Sequence, residues 1–524
     1  MTDTDFGSSK KRRPTRPIGT GVAVILLTSA AACTALLDRQ ATQCQTDSDC
    51  ASFGDHPYCQ SGVCVASGLG PANCFYGTPQ QPSDFLNQCS TAQCLAFDNC
   101  QRLGVCNDGG VLDAALVSPP PPEGSSSTST TTESDASTAG MPSCMDPSNG
   151  RSQVIYITGS SNFPPLLAKL APLILSTGYT PVFQVTNSCA GVAAAFSSNA
   201  SDHMINDPTP GPSAKYATYF EQNGSAVSCL LGSGGAAVDV GESDIFSTTC
   251  NASYVAGSSV GEYLGPVQAM VFAVPGASLQ TAITADAARE VFGMGGPPTA
   301  QPWTNPAYYY VRSASTGTQQ MIGHAIGVPA SAFWGNSVGT AAQVDTLLRQ
   351  ITDPATAQAA IGIISADYYD SDRGNVKALA YEAPDQECAY LPDSNAFKKD
   401  KQNVRDGHYP IWGPIHFFAQ TSGGNPVSAG AQAFLGVVSV PNLPQTLVDA
   451  FIGSSLVPSC AMSVQRSSEL GALSTYVPPV QCYCHFEATV DGVVPPGCTP
   501  CPAGPVQCTN PARPACNLGY CEVQ

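Results

Sequence analysis

The chain has 524 residues, with 21 Lys and Arg against 39 Asp and Glu, and a formal net charge of −18. This balance excludes nucleic acid and an anionic membrane surface as principal partners. Only 11% of residues are charged, while Gly, Pro and Cys number 49, 44 and 23; such a turn-rich, crosslinked composition excludes a chain kept reduced in the cytosol, and the length predicts three or four folding units.

Export signals come first in chain order. Lys10, Lys11, Arg12, Arg13 and Arg16 precede the apolar run Gly21–Leu27, and small residues follow up to Cys33. Residues 1–32 read as a signal peptide, because the run is too short for a transmembrane helix of about 20 apolar residues. Ala30-Ala31-Ala32-Cys33 resembles a bacterial lipobox, which implies cleavage before Cys33 and acylation of that cysteine as a lipid anchor. Ordinary signal-peptidase cleavage just before Cys33 is the alternative. Setting Cys33 aside from the 23 cysteines leaves an even number able to pair.

Residues 33–117 form a Cys-rich disulfide module, since the segment Cys44–Cys106 is dense in cysteine and too poor in aliphatic residues to build a core. Residues 118–143 carry Pro119–Pro122 and a Ser/Thr run from Ser125 to Thr132, and read as a flexible linker. Residues 459–524 are again Cys-rich. Cys44, Cys50, Cys59 and Cys64 are spaced C-x5-C-x8-C-x4-C, and Cys501, Cys508, Cys516 and Cys521 are spaced C-x6-C-x7-C-x4-C, which reads as two copies of one disulfide module. A zinc site at Cys482, Cys484, Cys498 and Cys501, beside His485, has tolerable spacing. In an exported chain disulfides take precedence, and no metal site or cofactor is assigned.

The body between these ends alternates strand and helix, an α/β pattern. Val154–Ile157 is a strand; a polar loop follows, then a helix opened by Pro164-Pro165 with Leu166, Leu167, Leu170 and Ile174 on one face. The unit recurs at Pro181–Val185, with Asn187–Gly191 as the loop and a helix from Val192. Further strands are predicted at Gln268–Val274, Tyr308–Val311, Ala360–Ile364 and Val376–Ala380, and Thr284 caps a helix through Phe292. Loops rich in Ser, Thr and Asn before helix starts offer N–H and O–H donors to an anion without net positive charge, which matters in a chain this acidic. Arg312-Ser-Ala-Ser-Thr-Gly-Thr318 adds a guanidinium to such a turn, the pairing a tetrahedral oxyanion needs.

With these loops in order, residues 152 to about 455 resemble the phosphate-binding proteins of bacterial ABC importers, two-lobed type 2 periplasmic binding proteins. Gly159–Pro164 resembles the first ligand loop, implying contacts at Asn162 and Phe163. Asn187–Val192 resembles the second, with Ser188 in the ligand position. Val238–Asp244 resembles the run ending in the Asp that accepts a hydrogen from protonated phosphate, and Arg312–Thr318 the last loop, implying anion contacts at Arg312, Thr316, Gly317 and Thr318. Tyr409–Ile411 and Ile415–Phe418 resemble the strand returning through the hinge. The resemblance implies one lobe from residues 144–266 and 410–458 and a second from 267–409. A carboxylate facing an oxyanion is repulsive unless the anion donates a proton, so Asp244 in this role favours hydrogen phosphate over sulfate.

The chain departs from that family at Ala314, where an Asp usually braces the Arg, so Arg312 is expected to lack its local partner. About 45 residues between Val192 and Val238 form an insertion, and Cys189, inside a ligand loop, can pair with Cys229, Cys250 or Cys388. Gly257–Gly261 and Gly335–Gly339 match the G-x-S-x-G nucleophile pattern, with His408 and His416 following, but neither Ser follows a buried strand into a helix, so a hydrolase is not assigned. His416 reads as a hydrogen-bonded core or hinge residue. The expectation is an exported, lipid-anchored protein, periplasmic or on the cell surface, binding phosphate or a related small oxyanion for uptake or sensing without catalysis, with an ABC permease as the partner the resemblance implies. A surface structural or adhesive lipoprotein keeping the same fold is the alternative.

Overall fold

The computed structural model describes residues 58–60, 63–65, 74–75, 77–103, 140–205, 216–232, 234–294 and 300–523. The expected signal peptide, Cys33 and most of the 118–143 spacer lie outside the described residues. Two compact units divide the chain at residues 1–68 and 69–524. The described part of the first unit is an antiparallel hairpin, Tyr58–Gln60 with Val63–Val65, that sets Cys59 opposite Cys64. The chain ends in a hairpin of the same register, Ala515–Asn517 with Tyr520–Glu522, where Cys516 faces Cys521. Its two turn residues, Leu518 and Gly519, have φ of 47° and 85°, the left-handed pair of a type I′ turn.

The larger unit is built on one mixed sheet. Its strands in chain order are β1 (Val154–Gly159), β2 (Thr180–Val185), β3 (Tyr216–Phe220), β4 (Ala226–Leu230), β5 (Val240–Ser243), β6 (Val260–Pro275), β7 (Tyr309–Val311), β8 (Asn336–Ser337), β9 (Ile361–Ser365) and β10 (Trp412–Ser422). They lie side by side as β8–β7–β9–β6–β10–β5–β1–β2–β3–β4, and two short strands, Val376–Ala378 and Asn425–Pro426, join off this path. β1 runs parallel to β2 and β5, and β7 parallel to β8 and β9, as βα units require. β6 carries the chain between the halves: it pairs with β10 from Val260 to Ala269, across an irregularity between Leu264 and Val267, and then with β9 from Met270 to Ala273.

Each half has its own core, which makes the architecture two-lobed α/β. In the first lobe, helix α1 (Pro164–Leu175) starts with two prolines, whose missing N–H groups cost nothing in a first turn, and buries Leu166, Leu167, Leu170 and Ile174. Phe163 packs between Phe183 and Phe417 with ring centroids 5.4 and 5.6 Å away; burying a side chain of this size stabilises by about 1.5–3 kcal/mol. Helix α2 (Ser188–Phe196) starts four residues earlier than the sequence pattern predicts, because Asn187 caps it by accepting from the Ala190 N–H at 2.9 Å. The second lobe centres on Met270, Phe272, Phe292, Trp303, Tyr309 and Met321. Its helix α3 (Gly317–Ile326) ends at Gly327 in the left-handed conformation.

Eight disulfides join described residues, the crosslinking of an oxidising, extracytoplasmic compartment. Cys482, Cys484, Cys498 and Cys501, the rival zinc set, are divided among three of them. Cys94–Cys388 fastens the 74–103 segment to the second lobe. The C-terminal segment is not a loose appendage either, since Cys460, Met462, Val464, Cys482 and Phe486 belong to the second lobe's core cluster. One helix of this segment reaches both lobes. With α4 (Gln445–Ile452) of the first lobe and α5 (Tyr483–Asp491) thus placed, His485 Nε2 bonds Asp449 on α4 at 2.7 Å, while Glu487 and Asp491 pair with Arg405 and Lys398 of the second lobe.

Candidate functional site

Where the lobes meet, four loop ends converge. The β1–α1 loop supplies Ser160, Ser161 and Asn162, the start of α2 supplies Ser188, the residue after β5 is Asp244, and the β7–α3 connection brings Arg312 and Gly317–Thr318 from the other lobe. Close packing under Ser188 depends on a glycine: a Cβ at Gly191 would lie 1.9 Å from the carbonyl of Glu242, so only glycine lets the first turn of α2 rest on β5.

Asp244 is 1% exposed. Its Oδ2 accepts from Ser160 Oγ at 2.5 Å, Asn162 Nδ2 at 3.0 Å and Ser188 Oγ at 3.3 Å, and its Oδ1 is buried with no partner. Burial pushes the Asp244 carboxyl up, and the three donors and Arg312 pull it back. Ser188 Oγ in turn accepts from the Gly317 N–H at 3.0 Å, Asn162 Nδ2 also reaches Thr318 Oγ1 at 3.3 Å, and the Cys189 N–H donates to Ser315 O at 3.2 Å, so the two lobes are joined at the site itself. The amide of Asn162 is oriented by these two acceptors, which leaves its Oδ1 buried and bare.

Arg312 is 2% exposed and, as expected from Ala314, is given no carboxylate by its own loop; its brace comes from further along the chain. Its Nε donates to Val338 O at 3.1 Å, its Nη2 to Gly339 O at 2.7 Å and Ser161 Oγ at 3.2 Å, and its backbone N–H to Gln319 Oε1 at 2.8 Å. Backbone carbonyls of the segment after β8 thus hold the guanidinium without neutralising it. Burial lowers its pKa to about 10, opposed by the charge of Asp244. The Nη1 nitrogen is buried and unpartnered.

The site brings together Asn162, Ser188, Asp244, Arg312, Gly317 and Thr318. Two expected residues sit differently. The ring of Phe163 belongs to the first core and its N–H donates to Ser160 O at 3.2 Å; Thr316 turns its hydroxyl onto its own loop, donating to Ser313 O at 2.8 Å. Ser160, Ser161 and Glu242 are at the site without having been singled out, although the first two stand in the quoted loop and Glu242 lies two residues before Asp244, on the same strand face. Cys189 pairs with Cys250, which ties the start of α2 to the turn after Asp244. Ser259 and Ser337 of the two nucleophile patterns are exposed, while His408 bonds Asp406 and Gln88 O, each at 2.6 Å, and the buried His416 bonds Glu262 at 2.6 Å.

No protein-family profile matches the chain, and neither does any curated protein. Among solved structures it is similar to a putative phosphate ABC transporter substrate-binding protein from Clostridium perfringens, at 12% identity and a TM-score of 0.37 over 58% of this chain and 99% of that one. An ABC-type phosphate transport receptor from Vibrio cholerae matches at 15% identity and 0.38 over 58% and 100%, and a phosphate-binding protein from Stenotrophomonas maltophilia at 15% and 0.34 over 58% and 90%.

Proposed function

We propose that this chain is an extracytoplasmic binding protein that closes its two lobes on a small protonated oxyanion, with phosphate as the ligand. The observation that carries this reading is a buried donor and a buried acceptor left bare in one cleft, Arg312 Nη1 and Asp244 Oδ1. Unpaired buried groups of this kind cost about 1–3 kcal/mol each or more when charged, and hydrogen phosphate satisfies both at once, taking N–H bonds on its oxygens and giving its O–H to the carboxylate. Sulfate, without a proton near neutral pH, satisfies only the arginine. Asn162, Ser188, Gly317 and Thr318 order Asp244 and bring the lobes together. On this reading a lipid on Cys33 holds the protein at a membrane, and an ABC permease or a sensor receives the anion. Calorimetric titration of phosphate and then sulfate into the oxidised chain, stripped of ligand by unfolding and refolding, tests it. Saturable one-to-one phosphate binding that Arg312→Ala abolishes supports it, and silence with both anions from folded protein leaves a structural surface role.

A further inference from the structure

Glu242 has no counterpart among the anion contacts described above, yet it is joined to them through one residue. The Ser160 N–H donates to Glu242 Oε2 at 2.7 Å, while the Ser160 hydroxyl donates to Asp244 Oδ2. Glu242 is fully buried, its Oε1 has no partner, and a Cβ at Gly159 would lie 2.4 Å from its Oε2, so the carboxyl fills the space it occupies. A backbone N–H of the first loop is thereby spent on a protein carboxyl. The bare acceptors of the cluster are Asn162 Oδ1, Asp244 Oδ1 and Glu242 Oε1; against them stands the Nη1 of Arg312 with its two N–H bonds. With both carboxyls ionised, they outweigh Arg312 by one negative charge before any ligand arrives, and a dianion deepens that imbalance in a desolvated site. One retained proton relieves both the charge and the surplus of acceptors.

We infer that oxyanion capture at this site takes up a proton shared among Glu242, Asp244 and the ligand, which makes Glu242 a specificity-determining residue for weakly charged, protonated oxyanions. This rests on the anion-binding reading above. Only O–H bonds are made or broken: a dianion plus a solvent proton and a monoanion alone give the same complex, so the coupling is a property of the proton count and not of which oxygen carries the proton. The charged surroundings of Glu242 are few. Asp244, the residue after its strand, acts on it directly; Arg312 from the second lobe acts on Asp244, and the charge of Asp244 in turn raises Asp367 and Glu469. From α2 it meets Gly191, and the neighbouring Cys189 is disulfide-bound. On β10, Phe417 is its paired residue, while His416 pairs with Ser243, lies tilted against Phe246 and is bonded to Glu262. Burial first and Asp244 second push the Glu242 carboxyl well above the usual carboxylate range, in the direction of proton retention.

The test is calorimetric titration of inorganic phosphate into the oxidised full chain and its Glu242→Gln variant between about pH 6 and 9. Glutamine keeps an acceptor for the Ser160 N–H but cannot ionise. The parent is expected to lose about tenfold more affinity than the variant across that range, and at the alkaline end, in buffers of different ionisation enthalpy, to take up about one more proton per site. Superimposable affinity curves with equal proton counts overturn the inference and leave the anion site standing. No heat from either protein at any pH removes the anion site and this inference with it. Should the variant not fold, the parent decides: about one proton taken up per site at the alkaline end, where free phosphate is the dianion, supports the inference, and capture of the dianion with no proton uptake overturns it.

Discussion

Gly317→Ala separates lobe closure from lobe stability. Gly317 opens α3, so alanine there suits the helix and gains up to about 1 kcal/mol from propensity. Its φ is not in the left-handed region, and no backbone strain is introduced. Across the cleft the outcome is opposite. The new Cβ would lie 2.6 Å from Ser188 Oγ, 2.7 Å from Asp244 Cβ and 3.0 Å from Asp244 Oδ2, all on the other lobe. Carbon atoms in ordinary contact are about 3.5 Å apart or more, so the lobes must part by roughly 0.8 Å at this point. That separation stretches the 3.0 Å bond from the Gly317 N–H to Ser188 Oγ, worth about 1 kcal/mol net, and moves Thr318 away from Asn162. Phosphate affinity is expected to fall at least tenfold, which corresponds to about 1.4 kcal/mol, while the melting temperature in the absence of phosphate stays level or rises. Calorimetry and thermal unfolding on the same sample check both halves. Unchanged affinity refutes the placement of Gly317 against Asp244 and Ser188, and a large fall in melting temperature without ligand shows that the methyl damages a core rather than a closure.

The other expectations are briefer. Arg312→Lys keeps the charge but not the planar fork that serves two carbonyls and the cleft at once; losing one charge-assisted bond of about 1.5–3 kcal/mol weakens phosphate binding roughly tenfold to a hundredfold, and equal affinity by calorimetry removes Arg312 from the site. Asp244→Asn trades an obligate acceptor for an amide that can also donate, so discrimination between phosphate and sulfate should shrink; an unchanged ratio of the two dissociation constants takes Asp244 out of its role. Cys189→Ser with Cys250→Ser opens a crosslink 61 residues apart in sequence, for which loop entropy gives about 4 kcal/mol; an unaltered melting temperature contradicts it. Finally, burial pushes Asp367, Glu469 and Glu382 up to about 7 and Asp345 to about 6. The folded chain then holds protons that the unfolded chain releases, so stability is fully present below about pH 4 and falls as pH rises from about 4 to 7; a melting temperature that climbs through this window refutes the burial of these carboxyls.

The parts of this structure that could be read from sequence are those in which local chemistry decides. The strand, loop and helix at Val154–Ile174 carry their own proof in a β-branched run, a polar turn and two prolines followed by leucines at helical spacing, and the structure has these elements there. Thr284 caps its helix through the Ala287 N–H at 3.2 Å. The helix after Asn187 starts earlier than its sequence pattern suggests because the small residues Ser188–Gly191 look like loop, while the cap at Asn187 and the close approach of Gly191 to β5 make them its first turn. Val376–Ala380 has the pattern of one strand, but the chain changes partners at Leu379, pairing first with β6 and then, from Ala380, with Ala282–Thr284.

The site was less legible for a physical reason, illustrated by Arg312 and Glu242. A bracing carboxylate two residues from an arginine is a local pattern that sequence can show, and Ala314 shows that it is missing here. The brace that exists comes from the carbonyls of Val338 and Gly339, groups every residue possesses, so no choice of side chain betrays them. The two solutions differ in electrostatics. An aspartate brace subtracts a charge beside the ligand, whereas carbonyls orient the guanidinium and leave its full charge to the cleft. That retained charge faces Asp244 here, and a second buried carboxyl, Glu242, stands two residues before it, where the neighbouring strand positions Val240 and Gly241 carry no ionisable group. The arginine's own loop holds no acid, and one is buried under the opposite loop. Its cost in a dry cleft is tolerable only with a proton close by, which is why the pH dependence of anion affinity, more than affinity itself, bears on what this cleft was built to hold.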